Sequence, residues 1–223
     1  MYSEEYFQAR ETAVDRSEFI DILIGLRTVG AGRNELIIDV GGDTGELARF
    51  LRNHGYNAMA CDPFSNTPGV AYCKLPNEVP PASIYVFQHV LEHVSDIEGS
   101  IKALSRAWAV VGILPGHFVD DETHVVNHFH HHLDGTIKGL FGEVRVMSID
   151  TVKQLFNKYG FTHVVVTPDT HSYLAPWDND WLLIASKKPI KAGYVKARQL
   201  LTVTRTLIAR ALARRFSKTP WST

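Results

Sequence analysis

Leu36-Ile-Ile-Asp-Val-Gly-Gly-Asp-Thr-Gly-Glu-Leu-Ala-Arg-Phe-Leu51 joins an apolar run to a helical pattern through three closely spaced glycines. Leu36 to Val40 suit a strand buried on both faces, and Leu47, Phe50 and Leu51 then recur at helical spacing. Gly41, Gly42 and Gly45 fall in the connection. A backbone that turns this sharply and offers bare N–H groups at the positive end of a helix needs residues without a Cβ. The stretch therefore predicts a strand, turn and helix that bind an anionic or zwitterionic ligand.

A carboxylate stands at the distance such a corner requires. Asn57-Ala-Met-Ala-Cys-Asp62 predicts a second strand ending in Asp62, which lies 21 residues beyond Gly41. In doubly wound sheets an acid at this tip can take both ribose hydroxyls of an adenosine. The glycines do not fit the G-x-G-x-x-G dinucleotide pattern, and no G-x-x-x-x-G-K-[ST] loop occurs, which counts against an ATPase.

These residues, together with two later stretches, carry a family resemblance. Asp39-Val-Gly-Gly-Asp-Thr-Gly45, then Asp62, then His89-Val-Leu-Glu-His-Val94 resemble the successive motifs of the class I, Rossmann-like S-adenosylmethionine-dependent methyltransferases. Met147-Ser-Ile-Asp-Thr-Val-Lys-Gln-Leu-Phe-Asn-Lys-Tyr-Gly-Phe161 is similar to the helix before their last two strands, so the likeness spans residues 18 to 188. It implies an α/β fold: a Rossmann-like doubly wound, mostly parallel sheet with an antiparallel final strand. It also implies S-adenosylmethionine as cofactor and O- or N-methylation of a small-molecule, sugar or lipid-linked acceptor. Carried over position by position, it puts Asp39 and the turn Gly41, Gly42, Asp43, Gly45 at the methionine end of the cofactor. Asp62 then meets the ribose, and Gln88 lies beside the sulfonium.

One position departs from the family pattern D-x-G-x-G-x-G, because Asp43 replaces its middle glycine. The carboxylate either points outward, receives the ammonium of the methionine moiety, or repels the cofactor carboxylate. The last case defines the alternative function, a binding or scaffold protein that keeps the fold without catalysis.

Length and composition fit this class: 223 residues, 45% of them hydrophobic and 10 of them proline, suit one α/β domain with a sizeable core. No 18-residue apolar span occurs, and Met1 to Phe7 have neither the basic start nor the apolar stretch of a signal peptide. A cytoplasmic protein is therefore expected. Cys61 and Cys73 lack metal-ligand spacing and are expected as buried, reduced thiols.

Along the chain, the pattern predicts an opening helix from Ser17 to Arg27. Between Asp62 and the strand Ser83 to Phe87 stand Pro63, Pro68, Pro76, Pro80 and Pro81, which exclude a long helix. The crossover helix usual in the family should thus be absent or reduced, with at most a short strand at Val70 to Lys74, leaving one side of the cofactor site open. A helix is expected from Ser95, as N-cap, to Trp108, then a strand over Val110 to Leu114. Ser148 to Tyr159 should form a capped helix ended by Gly160, and Phe161 to Val166 should pair antiparallel with Trp181 to Ala185.

Histidines crowd the acceptor side. Gln88, His89 and His93 follow a strand that ends at the carboxyl edge of the sheet, where ligands bind. His117 and the run Asp120 to His132 hold six of the chain's 11 histidines. Three readings of that run stay open: a substrate loop, solvated surface histidines, or a metal site using His124 and His128 of a helix with Asp120, Asp121 or Glu122. No zinc signature favours the metal. Positioning supplies much of a methyl transfer, but a hydroxyl acceptor must lose a proton. His89, His93, His117 and His124 are the candidate bases.

The last 35 residues, 189–223, differ from the methyltransferase-like body, 1–188. Residues 187–223 contain ten Lys or Arg and no acid, whereas residues 1–186 contain 13 basic and 24 acidic side chains. Leu200, Leu201, Thr204, Leu207, Ile208, Ala211 and Leu212 fall on one arc of a basic amphipathic helix over 191–216. Such a helix can lie on an anionic membrane or dock on protein. Nucleic acid would also be attracted, although no RNA-binding module is present.

Overall fold

The computed structural model describes residues 17–115, 124–131, 137–146, 148–170 and 180–216. In chain order the elements begin with α1 (Ser17–Val29), β1 (Leu36–Val40), α2 (Glu46–Asn53), β2 (Asn57–Cys61), β3 (Val70–Ala71) and β4 (Ile84–Gln88). A short 3-10 turn (Leu91–His93) precedes α3 (Ile97–Leu104) and β5 (Ala109–Leu114). Then come β6 (His124–His131), β7 (Ile137–Val146), α4 (Ile149–Lys158), β8 (His163–Pro168), β9 (Trp181–Ser186) and α5 (Ala192–Phe216). Seven strands form one sheet in the order β3-β2-β1-β4-β5-β9-β8, and β6 and β7 make a separate antiparallel hairpin. β9 runs antiparallel to both β5 and β8; the other pairs are parallel. This is the doubly wound topology that the motif order implied.

The central strands are apolar throughout because both faces are covered. Ile84 and Val86 of β4 enter one core with Ile37, Leu47 and Leu51, beneath Phe19, Ile22 and Leu26 of α1. Tyr85 and Phe87, pointing the other way, pack with Ile101 and Leu104 of α3 and Phe156 of α4. Each large apolar side chain buried this way contributes roughly 1.5–3 kcal/mol. The two layers hold the carboxyl ends of β1, β2 and β4 in a fixed row, and the candidate site is built along it.

Several expectations meet the structure directly. No helix occurs between β2 and β4 among the described residues, and only Val70–Ala71 pairs there as a strand. Ser148 caps α4, its Oγ accepting from Thr151 N at 3.1 Å, and Gly160 follows at φ 89°. The cap of α3 is Asp96 rather than Ser95: its Oδ1 accepts from Gly99 N at 2.8 Å. Serine and aspartate cap about equally well, so the local backbone places the start of the helix one residue past Ser95.

Two further expectations are corrected. Cys61 and Cys73 are buried, each 1% exposed, but they form a disulfide rather than standing as free thiols. Parallel pairing of β2 with β3 returns the chain alongside itself and brings the two Cα atoms to 5.4 Å, within bridging distance. The metal reading of His124 and His128 required a helix, and the segment is strand β6. His117, Asp120, Asp121 and Glu122 lie outside the described residues.

Candidate active site

The glycine corner folds as a turn that satisfies its own donors. Gly41 N and Gly42 N donate to Cys61 O at 2.8 and 3.1 Å, Gly45 N donates to Gly42 O at 2.6 Å, and Asp43 N donates to Asp62 Oδ2 at 3.2 Å. These donors are therefore not bare, contrary to the simple picture of amides waiting for an anion. Burial explains it, since a covered N–H without a partner is costly. Gly42 is required by close approach: a Cβ there would stand 2.6 Å from Asp39 Oδ2 and 2.9 Å from Ala60 Cβ. Asp43 sits at φ 45°, a left-handed conformation that glycine adopts freely and aspartate better than most residues.

What the corner offers a ligand is the carboxylates of Asp43 and Asp62, with Asp39 buried behind them. Asp39 is 2% exposed, and among the described residues its Oδ2 has no hydrogen-bond partner. Burial, followed by the charges of Asp62 and Asp43, pushes the Asp39 carboxyl well above its usual range. Asp62 is also buried; its Oδ1 accepts from Phe64 N at 2.7 Å and Ser65 N at 2.9 Å. With Asp43 N on the other oxygen, three of the roughly four acceptor sites of Asp62 are engaged. Room remains for a ribose hydroxyl at one site, fewer than the two bonds expected from the strand tip alone. An open cavity joins these groups, lined by Gly41, Asp43 and Asp62 on one side and Gln88, His89 and His93 on the other.

The acceptor side of that cavity is a caged imidazole. His89, at φ 50°, places Nε2 3.4 Å from Glu18 Oε2 and 3.6 Å from Asp180 Oδ2, while Nδ1 lies 3.7 Å from Glu92 Oε1. Burial pulls the His89 pKa down, but the hydrogen bond to Glu18 and the charges of Glu18, Glu92 and Asp180 outweigh it and raise it to about 9. His89 is thus an imidazolium at neutral pH. Glu92 Oε1 also lies 3.8 Å from His93 Nε2, so one nearly buried carboxylate serves both histidines of the turn. Gln88 does not reach across the cavity; its Nε2 donates to Glu18 Oε2 at 2.9 Å. Strand β7 lies against this turn.

The structure thus brings Asp39, Gly41, Gly42, Asp43, Gly45 and Asp62 together at one edge, and Gln88, His89 and His93 opposite them. His124 belongs to the hairpin, and His117 is not among the described residues. Sequence reasoning missed Glu18 and Asp180. Both are separated from His89 by more than 70 residues, and the only local signals are an acid in the first turn of α1 and an acid just before β9.

Residues 17–166 match a family model described as "Methyltransferase domain". The chain belongs to this methyltransferase family. No curated protein matches the sequence. Solved structures share the fold at low identity. An S-adenosylmethionine-dependent methyltransferase from Mesorhizobium loti is 14% identical, with a TM-score of 0.56 over 76% of this chain and 97% of its own. The 1,6-didemethyltoxoflavin-N1-methyltransferase of Burkholderia thailandensis, solved with 1,6-didemethyltoxoflavin and S-adenosylhomocysteine, is 13% identical, with a TM-score of 0.59 over 82% of this chain and 84% of its own. A glycopeptide N-methyltransferase in complex with S-adenosylhomocysteine is 12% identical, with a TM-score of 0.54 over 83% and 98% of the two chains. The methyltransferase therefore has the fold and the ordered motifs that its sequence implied.

Proposed function

We propose that this methyltransferase transfers a methyl group from S-adenosylmethionine to a nitrogen or oxygen of a small-molecule acceptor lying over Gln88 and His89. The observation that carries the reading is the pair of carboxylates, Asp43 and Asp62, that line the cavity beside a glycine turn too tight for a Cβ at Gly42, with Asp39 buried behind them. Such a cradle suits a ligand that bears an ammonium and a sulfonium, and it opposes the pyrophosphate of a dinucleotide. When bound, S-adenosylmethionine supplies the electrophilic methyl. Asp43 is placed to pair with the ammonium, and Asp62 to take a ribose hydroxyl. The acceptor is oriented by His89, which Glu18 and Asp180 hold from behind. His89 has no free lone pair at neutral pH, so it orients and donates rather than removing a proton. His93, in the turn lining the cavity, is left as the base for a hydroxyl acceptor. A nitrogen acceptor is supported by the solved relatives in fold that are N-methyltransferases, one of 1,6-didemethyltoxoflavin and one of a glycopeptide.

Isothermal titration with S-adenosylmethionine and S-adenosylhomocysteine tests the reading. Both should bind, and Asp43→Gly should weaken S-adenosylmethionine about three- to tenfold by removing a charge-assisted contact. Stronger binding by the variant would show that Asp43 blocks the cofactor and would favour the scaffold alternative. Absence of binding to the intact protein would end the enzyme reading.

The caged imidazole makes a second, independent prediction. A nuclear magnetic resonance titration should find the His89 ring protonated until the pH approaches about 9. Glu18→Gln removes the partner that contributes most to the rise and should move the midpoint down toward 6.5. An unchanged midpoint would mean that Glu92 and Asp180 alone hold the charge.

A further inference from the structure

The final helix shows two unlike faces. Val195 and Gln199 are each 1% exposed: Val195 joins the core beneath α1, and Gln199 Nε2 donates to Pro168 O at 2.8 Å and lies 3.4 Å from Asp21 Oδ1. The body thus holds the first turns of α5 by one side. At 100° per residue, Thr204 falls nearly opposite that side, Leu200 and Leu201 flank it at about 120° and 140° from the buried side, and Leu207 lies about 100° round. There the leucines stand in solvent, Leu200 at 69%, Leu201 at 40% and Leu207 at 53% exposure. Among the described residues, docking on the protein's own body therefore leaves Leu200, Leu201 and Leu207 uncovered. Lys191, Lys196 and Arg198 are exposed around them, and residues 187–223 contain ten Lys or Arg without a single acid. No helix of the described residues is long and apolar enough to cross a membrane.

We propose that α5 lays its leucine arc on the surface of a membrane rich in anionic lipid, tethering the methyltransferase there. The leucines enter the boundary between headgroups and acyl chains, and the basic side chains meet lipid phosphates. The two features have to be explained together. Nucleic acid would engage the charge but leave the leucines in water. Pairing of two copies through the same arc would set one uniformly basic helix against another. An anionic bilayer satisfies both the apolar arc and the positive charge.

The test is flotation of the full-length protein with vesicles of phosphatidylcholine alone and with vesicles containing one third phosphatidylglycerol. Two double variants accompany it, Leu201→Ser with Leu207→Ser, and Lys196→Glu with Arg198→Glu. The intact protein should float with the anionic vesicles only, and raised salt should release it. Each double variant should lose at least about tenfold in partitioning. All four positions are exposed, so thermal melting of the variants should stay near that of the parent. Failure to float at low salt, equal flotation with neutral vesicles, or variants that float like the parent would each overturn the proposal. So would a concentration-dependent dimer abolished by the leucine variant without vesicle binding, or binding to a short nucleic-acid duplex without vesicle binding.

Discussion

Asp62→Ala should lower the affinity for S-adenosylmethionine at least about tenfold while the sheet stays folded. The carboxylate has two tasks in the structure. It holds Asp43 N, and therefore the glycine turn, at 3.2 Å, and it gathers Phe64 N and Ser65 N into the loop beyond β2. Removing it takes away the proposed ribose partner and also frees three backbone donors, each such charge-assisted bond being worth roughly 1.5–3 kcal/mol. Asp62→Asn separates the two tasks, because its amide keeps an acceptor for the loop but loses the charge. Titration calorimetry on both variants should rank parent, then Asn, then Ala in affinity. Parent-like affinity in a folded Ala variant would remove Asp62 from the cofactor site.

The second large effect concerns stability and lies away from the cavity. Asp21 is fully buried, its carboxylate accepting from Thr170 N at 2.8 Å and Thr170 Oγ1 at 2.7 Å, between α1, the end of β8 and α5. Burial raises its pKa to about 7; the bonds from Thr170 oppose the rise and the charge of Asp169 adds to it. The folded state therefore binds this proton more tightly than the unfolded chain. Its contribution to stability is complete below pH 3.8 and is lost as the pH climbs through about 7. His89, raised from 6.5 to about 9, acts in the same direction over a higher window: its contribution is complete below 6.5 and lost through about 9.

The melting temperature should consequently fall from mild acid to alkaline pH in two stages. Asp21→Asn should abolish the lower stage. An asparagine can accept from Thr170 N and donate to Thr170 Oγ1, so it reproduces the protonated acid. It should stabilise the protein on the order of 2–4 kcal/mol near pH 8 and little near pH 4. Thermal melts of parent and variant across that range decide it. Equal slopes for the two proteins would show that Asp21 stays ionised with Thr170 as sufficient compensation.

How much of this was legible in the sequence depends on distance along the chain. The strand β1, the glycine corner, Asp62 and the proline-rich replacement of the crossover helix are local patterns, each contained within about 20 residues, and periodicity reads such patterns well. Ser148 was legible as a cap for the same reason. Asp96 was not, because Ser95 beside it is an equally good cap residue and only the local backbone decides between them. The Cys61–Cys73 bridge depends on the pairing of β2 with β3, which no spacing rule encodes. The corner's own hydrogen bonds were also hidden, since they run from Gly41 and Gly42 to Cys61 across two paired strands. His89 was found, but not the residues that surround it, because Glu18 and Asp180 come from α1 and the approach to β9.

That division has an evolutionary side. The groups that would grip the cofactor lie within one contiguous stretch, residues 39–62, whereas Glu18 and Asp180 reach His89 from segments far on either side of it. Neither is part of the paired registers of β1, β2 and β4, so replacing them leaves the cradle's strands undisturbed. On the function proposed above, mutation at the two ends of the fold would change what surrounds His89 while the strands of the cradle keep their register. An enzyme wired this way can acquire a new substrate without first losing its methyl donor.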